Sequence, residues 1–191
     1  MNWIQALEQH REDLSAHFGQ VTQHTINWKP NEDSWSIAEN VDHLITVNNS
    51  YLKLLTSLGN GKYKKPFLGK IPFIVRLFGR LIVQSVQPAN QKKTPTFPLW
   101  RPSTSNHSLE IITDFKANQL LLIDWIRTHQ NLVDQNPVIS SPANAHIVYY
   151  LQTALTIIVT HQSRHIQQAS QALMLSQQAN ATDSTATEQP V

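Results

Sequence analysis

Apolar positions recur at helical spacing in four long stretches. Trp3, Ile4, Leu7, Leu14 and Phe18 recur at three-, four- and seven-residue intervals up to Gly19, as one face of a helix over about residues 2 to 18 requires. Pro30 through Trp35 breaks the pattern, and Ser36 followed by Glu39 reads as a capping box opening a second helix. Ile37, Val41, Leu44, Tyr51, Leu52 and Leu55 carry that helix to a stop at Gly59-Asn60-Gly61. A third helix, about Ser105 to His129, uses Leu109, Ile112, Phe115, Leu122 and Ile126, and Asn136, Pro137 and Pro142 close it off. The fourth, roughly Ala145 to Gln177, sets Leu151, Ala154, Ile158, His161, His165, Gln168 and Ala172 on one inward stripe.

The connection from the second to the third helix is long, about 45 residues, which lets the chain cross back to its starting end. The expected fold is therefore an all-α four-helix bundle, up-down-down-up, with the fourth helix antiparallel to the second. Residues 1–178 form the bundle, 59–104 are a crossover insertion, and 179–191, rich in Thr, Ala and Gln without periodicity, are expected as a flexible tail. Inside the crossover, Phe73, Ile74, Leu77, Phe78, Leu81 and Ile82 oppose Arg76, Arg80 and Gln84. This predicts a short amphipathic helix that lies on the bundle by Phe73, Leu77 and Leu81 and turns its arginines to solvent or a site mouth. A Pro-rich run, Pro88 to Pro102, follows.

Composition narrows the chemistry. The 191 residues, 40% hydrophobic, suffice for one buried core. The absence of Cys removes disulfides, thiolate metal sites and cysteine nucleophiles, and suits a cytoplasmic protein. No basic start leads into an apolar run at Met1, and the most apolar stretch, Ile71 to Val86, is too short and carries too many arginines to span a bilayer. Net charge is +2, but nine of the fifteen basic residues (Lys62, Lys64, Lys65, Lys70, Arg76, Arg80, Lys92, Lys93 and Arg101) lie in one acid-free segment. The rest of the chain has a formal charge of −7. Phosphate loops, nucleophile elbows and nucleic-acid-binding motifs are missing.

The remaining chemistry is histidine. His161 and His165 stand one turn apart, with Cβ atoms about 6 Å from each other, a spacing that can converge on one ion. Among nine histidines, chance supplies roughly 0.4 such pairs, so spacing alone decides nothing. Their place on an apolar stripe adds weight, because a buried imidazole needs a partner for its lone pair: an ion, or a neighbouring Gln or Asp. His10 and His17, about 10 Å apart on the first helix, do not suit a shared ion, and His24, His107, His129 and His146 fall near helix ends or loops.

Two segments carry a resemblance. Trp35-Ser36-Ile37-Ala38-Glu39-Asn40-Val41-Asp42-His43-Leu44 and His161-Gln162-Ser163-Arg164-His165-Ile166-Gln167-Gln168 are similar to the W-S-x-x-E-x-x-x-H-L and H-x-x-R-H-x-x-Q helices of the DinB/YfiT-like bundles. The resemblance covers residues 1 to 175 and implies one divalent metal held by His43, His161 and His165, with water completing the shell. The chain departs from the pattern at Ser140-Ser141-Pro142-Ala143-Asn144, where family members often carry a glycine, and in its longer basic insertion. Antiparallel second and fourth helices would bring the three histidines to one end of the bundle. Arg164 and Gln168 would orient ligands or pair with Glu39 or Asp42, unless Arg164 is an ordinary surface cation. Glu39, Asp42 and Arg164 are the candidate catalytic groups. Tyr51, Trp35 and Trp100 either wall a pocket or fill the core.

Three readings of function stand side by side. A three-His site with an open position suits an enzyme acting on a small molecule, as transferase or hydrolase, and the resemblance adds a low-molecular-weight thiol cosubstrate and a homodimer. Zinc and nickel fit such a shell, and iron and manganese remain open. The second reading is a non-catalytic bundle whose metal ties helices together, or which binds a ligand or partner. In the third, the basic segment adheres to nucleic acid or anionic lipid, against a plain solvated cover over the bundle; no nucleic-acid partner is expected.

Overall fold

A computed structural model describes residues 1–90 and 95–186; Lys92 and Lys93 of the basic segment and residues 187–191 of the expected tail lie outside the described residues. Local capping fixes where the first helices start. Asn2 Oδ1 accepts from the Gln5 amide at 3.1 Å to open α1 (Trp3–Phe18), and the Thr22 side chain accepts from the Thr25 amide to open the short α2 (Gln23–Asn27). Ser36 and Glu39 close both halves of the expected capping box on α3 (Ile37–Gly59), at 3.1 and 2.8 Å.

The crossover holds a 3₁₀ turn (Phe67–Lys70), the helix α4 (Pro72–Ser85) and a second 3₁₀ turn (Pro98–Trp100). Next come α5 (Ile111–Thr128) and α6 (Gln130–Gln135), which ends on Asn136 at φ 47°. That left-handed Asn136 also caps the last helix, α7 (Leu151–Ala186), accepting from the Gln152 amide at 2.9 Å.

Between α6 and α7 the chain forms a hairpin instead of the helical start expected at Ala145. β1 (Val138–Ser141) pairs antiparallel with β2 (Asn144–Tyr150), Ile139 opposite Tyr149 and Ser140 opposite Val148, with a register shift after Ser140. The run Ile147-Val148-Tyr149-Tyr150 is β-branched and aromatic, and Ile139, Val148 and Tyr149 are buried, so packing favours strand over helix. At the other end α7 extends through Ala186, past the expected limit near Gln177.

Side-chain hydrogen bonds set the helix directions. Trp3 donates to Thr156 and His10 pairs with Ser163, so α1 and α7 run the same way. Asn48 donates to Asn118 and Trp125 to the Leu55 carbonyl, so α3 and α5 also run together. Asn40 meets His165 while Asn48 meets Gln162, so α3 and α7 run oppositely. Both α1 and α3 pack against α5 and α7.

The core comes in two apolar clusters. Leu7, Tyr51, Leu122, Leu155 and Ile158 belong to one, Leu14, Leu44, Phe115, Ile166 and Ala169 to the other. Each fully buried Leu or Ile contributes roughly 1.5–3 kcal/mol by leaving water. Along all four long helices the clusters are separated by a buried polar layer of His10, Asn48, Asn118, Gln119 and Gln162. Gln162 joins the layer: its Oε1 accepts from His10 Nδ1 and Gln119 Nε2, both at 2.9 Å, and its Nε2 donates to Asn48 Oδ1 at 3.1 Å.

The amphipathic crossover helix is present as α4, but it lies on the body by the opposite face. Phe73, Leu77 and Leu81 are 73%, 40% and 49% exposed, contrary to the expectation that they pack inward. Val75 and Gly79 are buried instead, and Ile82, Val83 and Val86 are half-buried against the core. Gly79 decides the choice: a Cβ there would lie 3.1 Å from Thr153 Cγ2 and 3.5 Å from Tyr149 Cβ, so α4 sits close because that position has no side chain. Arg76 and Arg80 are exposed, as expected.

Candidate metal centre

His43 lies on α3 two turns after the capping box, and His161 and His165 lie one turn apart on α7. Because those helices run in opposite directions, the three rings converge, and one nitrogen from each lies within 4.8 Å of the others. His43 Nε2 and His161 Nε2 are 3.2 Å apart, the separation two ligands take when each sits about 2.1 Å from a shared ion. His43 and His165 are buried and His161 half-buried.

The outer nitrogens of His43 and His165 are tied to oxygens. His165 Nδ1–H donates to Asn40 Oδ1 at 2.8 Å, and the amide's orientation is fixed by Asn40 Nδ2 donating to the Ser36 carbonyl at 2.9 Å. His43 Nδ1–H donates to the Trp100 carbonyl. Both neutral rings therefore carry their proton on Nδ1 and aim the Nε2 lone pair at the cluster, the arrangement that orients ligating imidazoles.

Protonation is held off in the same direction. Desolvation lowers the His43 pKa to about 4, against smaller opposing effects from the Trp100 carbonyl and Asp42. His161 and His165 are held well below the ordinary value by desolvation first, then by each ring's histidine neighbours and by Arg164. Three neutral nitrogen donors at neutral pH are what a divalent ion requires, so the residues fit that group.

Of the expected aromatics, Trp35 is in the site: its ring lies 4.9 Å from that of His43 and stacks on His165 at 5.6 Å and 25°. Trp100 contributes its carbonyl, while its indole donates to Ser50. Tyr51 is core, its hydroxyl 2.7 Å from that of buried Tyr149. A cleft of about 450 Å³ opens beside Trp35 and Glu39, also lined by Lys29, Arg101 and Thr104.

The three candidate catalytic groups have other engagements. Glu39 holds the Ser36 amide and an ion pair to Lys29 at 3.1 Å. Asp42 accepts from the Ser103 amide at 2.6 Å and lies 3.8 Å from His107. Arg164 donates to the Ser85 carbonyl at 2.7 Å, tying the end of α4 to α7. Gln168, expected beside the ligands, is exposed. His10 is buried in the polar layer; His17, His24 and His146 are exposed, and His129 stacks on Trp125.

Sequence reasoning missed Asn40 and the Trp100 carbonyl. Asn40 carried a signal, one turn before His43 on the same face of α3. A backbone carbonyl from a Pro-rich loop leaves none. Comparisons with curated proteins and with solved structures give no match. The DinB superfamily model, in contrast, matches residues 6–169, a span that includes all three histidines, the whole of α3 and the first half of α7. The chain belongs to the DinB superfamily.

Proposed function

We propose that His43, His161 and His165 hold one divalent ion, zinc or nickel, and that the protein is a metal-dependent transferase or hydrolase acting on a small molecule, with a low-molecular-weight thiol as cosubstrate. The observation that carries this reading is the convergence of three imidazole nitrogens, those of His43 and His165 aimed inward by partners on their outer nitrogens. Among the described residues no further imidazole or carboxylate joins the cluster, and an open coordination position suits catalysis better than a closed structural site. A bound ion would supply Lewis acidity that brings the pKa of a coordinated thiol or water toward 7.

The chain's own groups support the same use. Low pKa values keep the donors neutral, and the Trp35 ring shields His43 and His165 from solvent. Arg101 lines the adjoining cleft together with Glu32, Asp33 and the Lys29–Glu39 pair, so the cleft offers charge of both signs to a small polar substrate. In this reading residues 1–178 form one up-down-down-up bundle, 59–104 its crossover, and the cysteine-free chain works in the cytoplasm as a homodimer.

The test is a screen of zinc- or nickel-loaded protein against thiols with electrophiles, and against simple esters and amides. Turnover that vanishes in His165→Ala is expected. Turnover unchanged in that variant overturns the catalytic reading, and a fourth protein ligand found in a metal-loaded crystal would favour a structural metal.

A further inference from the structure

The outer face of α4 is apolar and, among the described residues, uncovered. Phe73, Leu77 and Leu81 follow at four-residue spacing and form a stripe along the side away from the body. Phe67 and Ile71, just upstream, are 76% and 42% exposed. Single exposed apolar residues are ordinary, but a row of this kind marks a contact surface.

Charge identifies the partner. Arg76 and Arg80, at the same four-residue spacing, run along one edge of the stripe, and Lys62, Lys64, Lys65 and Lys70 are exposed before it. Lys70 Nζ sits 5.4 Å from the Phe67 ring centroid, so cation and aromatic share one patch. From residue 62 to 101 the sequence has no acid. A two-fold contact with a second copy through this face would set Arg76 and Arg80 of both copies together without a carboxylate from the segment, which like-charge repulsion opposes.

We infer that this face docks on an anionic lipid bilayer. Phe67, Phe73, Leu77 and Leu81 enter the boundary between headgroups and acyl chains, and Arg76, Arg80 and the lysines meet lipid phosphates. The remainder of the chain, with its formal charge of −7, turns away from the membrane and so orients the molecule. No helix of the described residues is long and apolar enough to cross a membrane, so the attachment is peripheral.

The test is co-sedimentation of the full chain with vesicles of phosphatidylcholine, with and without about one third phosphatidylglycerol. Binding to the anionic vesicles alone is expected, weakened by salt. It should fall by roughly 30-fold in Arg76→Gln/Arg80→Gln, given about 1 kcal/mol per basic residue at such a surface, and by at least tenfold in Phe73→Ser/Leu77→Ser. These side chains are exposed, and unchanged circular dichroism confirms that the variants fold. Equal binding to neutral vesicles, no binding to anionic ones, or binding unaffected by both variants overturns the inference. So does sedimentation velocity in which the wild type is larger than both variants, because the face then joins copies of this chain.

Discussion

Asn40 Oδ1 accepts the Nδ1 proton of His165 at 2.8 Å, joining α3 to α7 beside the histidine cluster. Asn40→Ala leaves that proton without its buried acceptor and frees the ring to turn. Outer partners of this kind are worth about 10–100-fold in metal affinity, so Asn40→Ala should bind zinc that much more weakly, while Asn40→Asp should retain most of it. Competition titration with a chromophoric chelator measures both, and equal affinities in wild type and Asn40→Ala would remove Asn40 from the site.

Metal content follows the ligands themselves. Elemental analysis of protein purified without a His tag should find about one divalent ion per chain, and under a tenth of that in His161→Ala or His165→Ala. His17→Ala, an exposed position on α1, should match the wild type. Full content in both ligand variants would place the ion elsewhere.

The cluster's low pKa values predict acid sensitivity of the metal-free protein. His43 titrates near 4 in the folded chain and near 6.5 unfolded, so between these values the unfolded state binds more protons. Stability is then complete above about pH 6.5 and is lost as pH falls toward 4. His43 alone accounts for about 2 kcal/mol at pH 5, and His10, His161 and His165, also lowered, act in the same direction. Urea titrations of chelator-treated protein at pH 7.5, 6 and 5 should show the midpoint falling; a flat profile rules out a cluster of rings held neutral in the folded chain.

Gln162 lies between two ligands in sequence yet serves the polar layer. Gln162→Leu strands His10 Nδ1, Gln119 Nε2 and Asn48 Oδ1 without their shared partner and should cost about 3 kcal/mol of stability. Metal content measured below the variant's unfolding temperature should stay near one per chain. Loss of the metal with stability preserved would reverse the two roles.

Much of this architecture is legible from spacing. The capping box at Ser36 and Glu39 and the stop after Gly59 give α3 the bounds it has, and the histidine pair on the α7 stripe points inward as its period requires. What escapes is what side-chain identity does not encode. Counting bulky apolar residues puts Phe73, Leu77 and Leu81 inside, whereas a glycine that permits close approach decides the face of α4. The hairpin escapes because Ile147 to Tyr150 is too short a run to separate strand from buried helix by period alone. The seam of amides through the core looks, residue by residue, like helix surface, and only the fold brings Asn48, Asn118, Gln119 and Gln162 together.

The Trp100 carbonyl that receives the His43 proton lies in the crossover, 57 residues further along the chain. Ordering that loop and seating an ion among the imidazoles therefore draw on one shared contact, and thermodynamic reciprocity makes each favour the other by the same free energy. Anything that grips residues 96–107 from outside would tighten the ion's hold. Withdrawing the ion would in turn let those amides exchange their hydrogens faster, giving the loop a readout of occupancy.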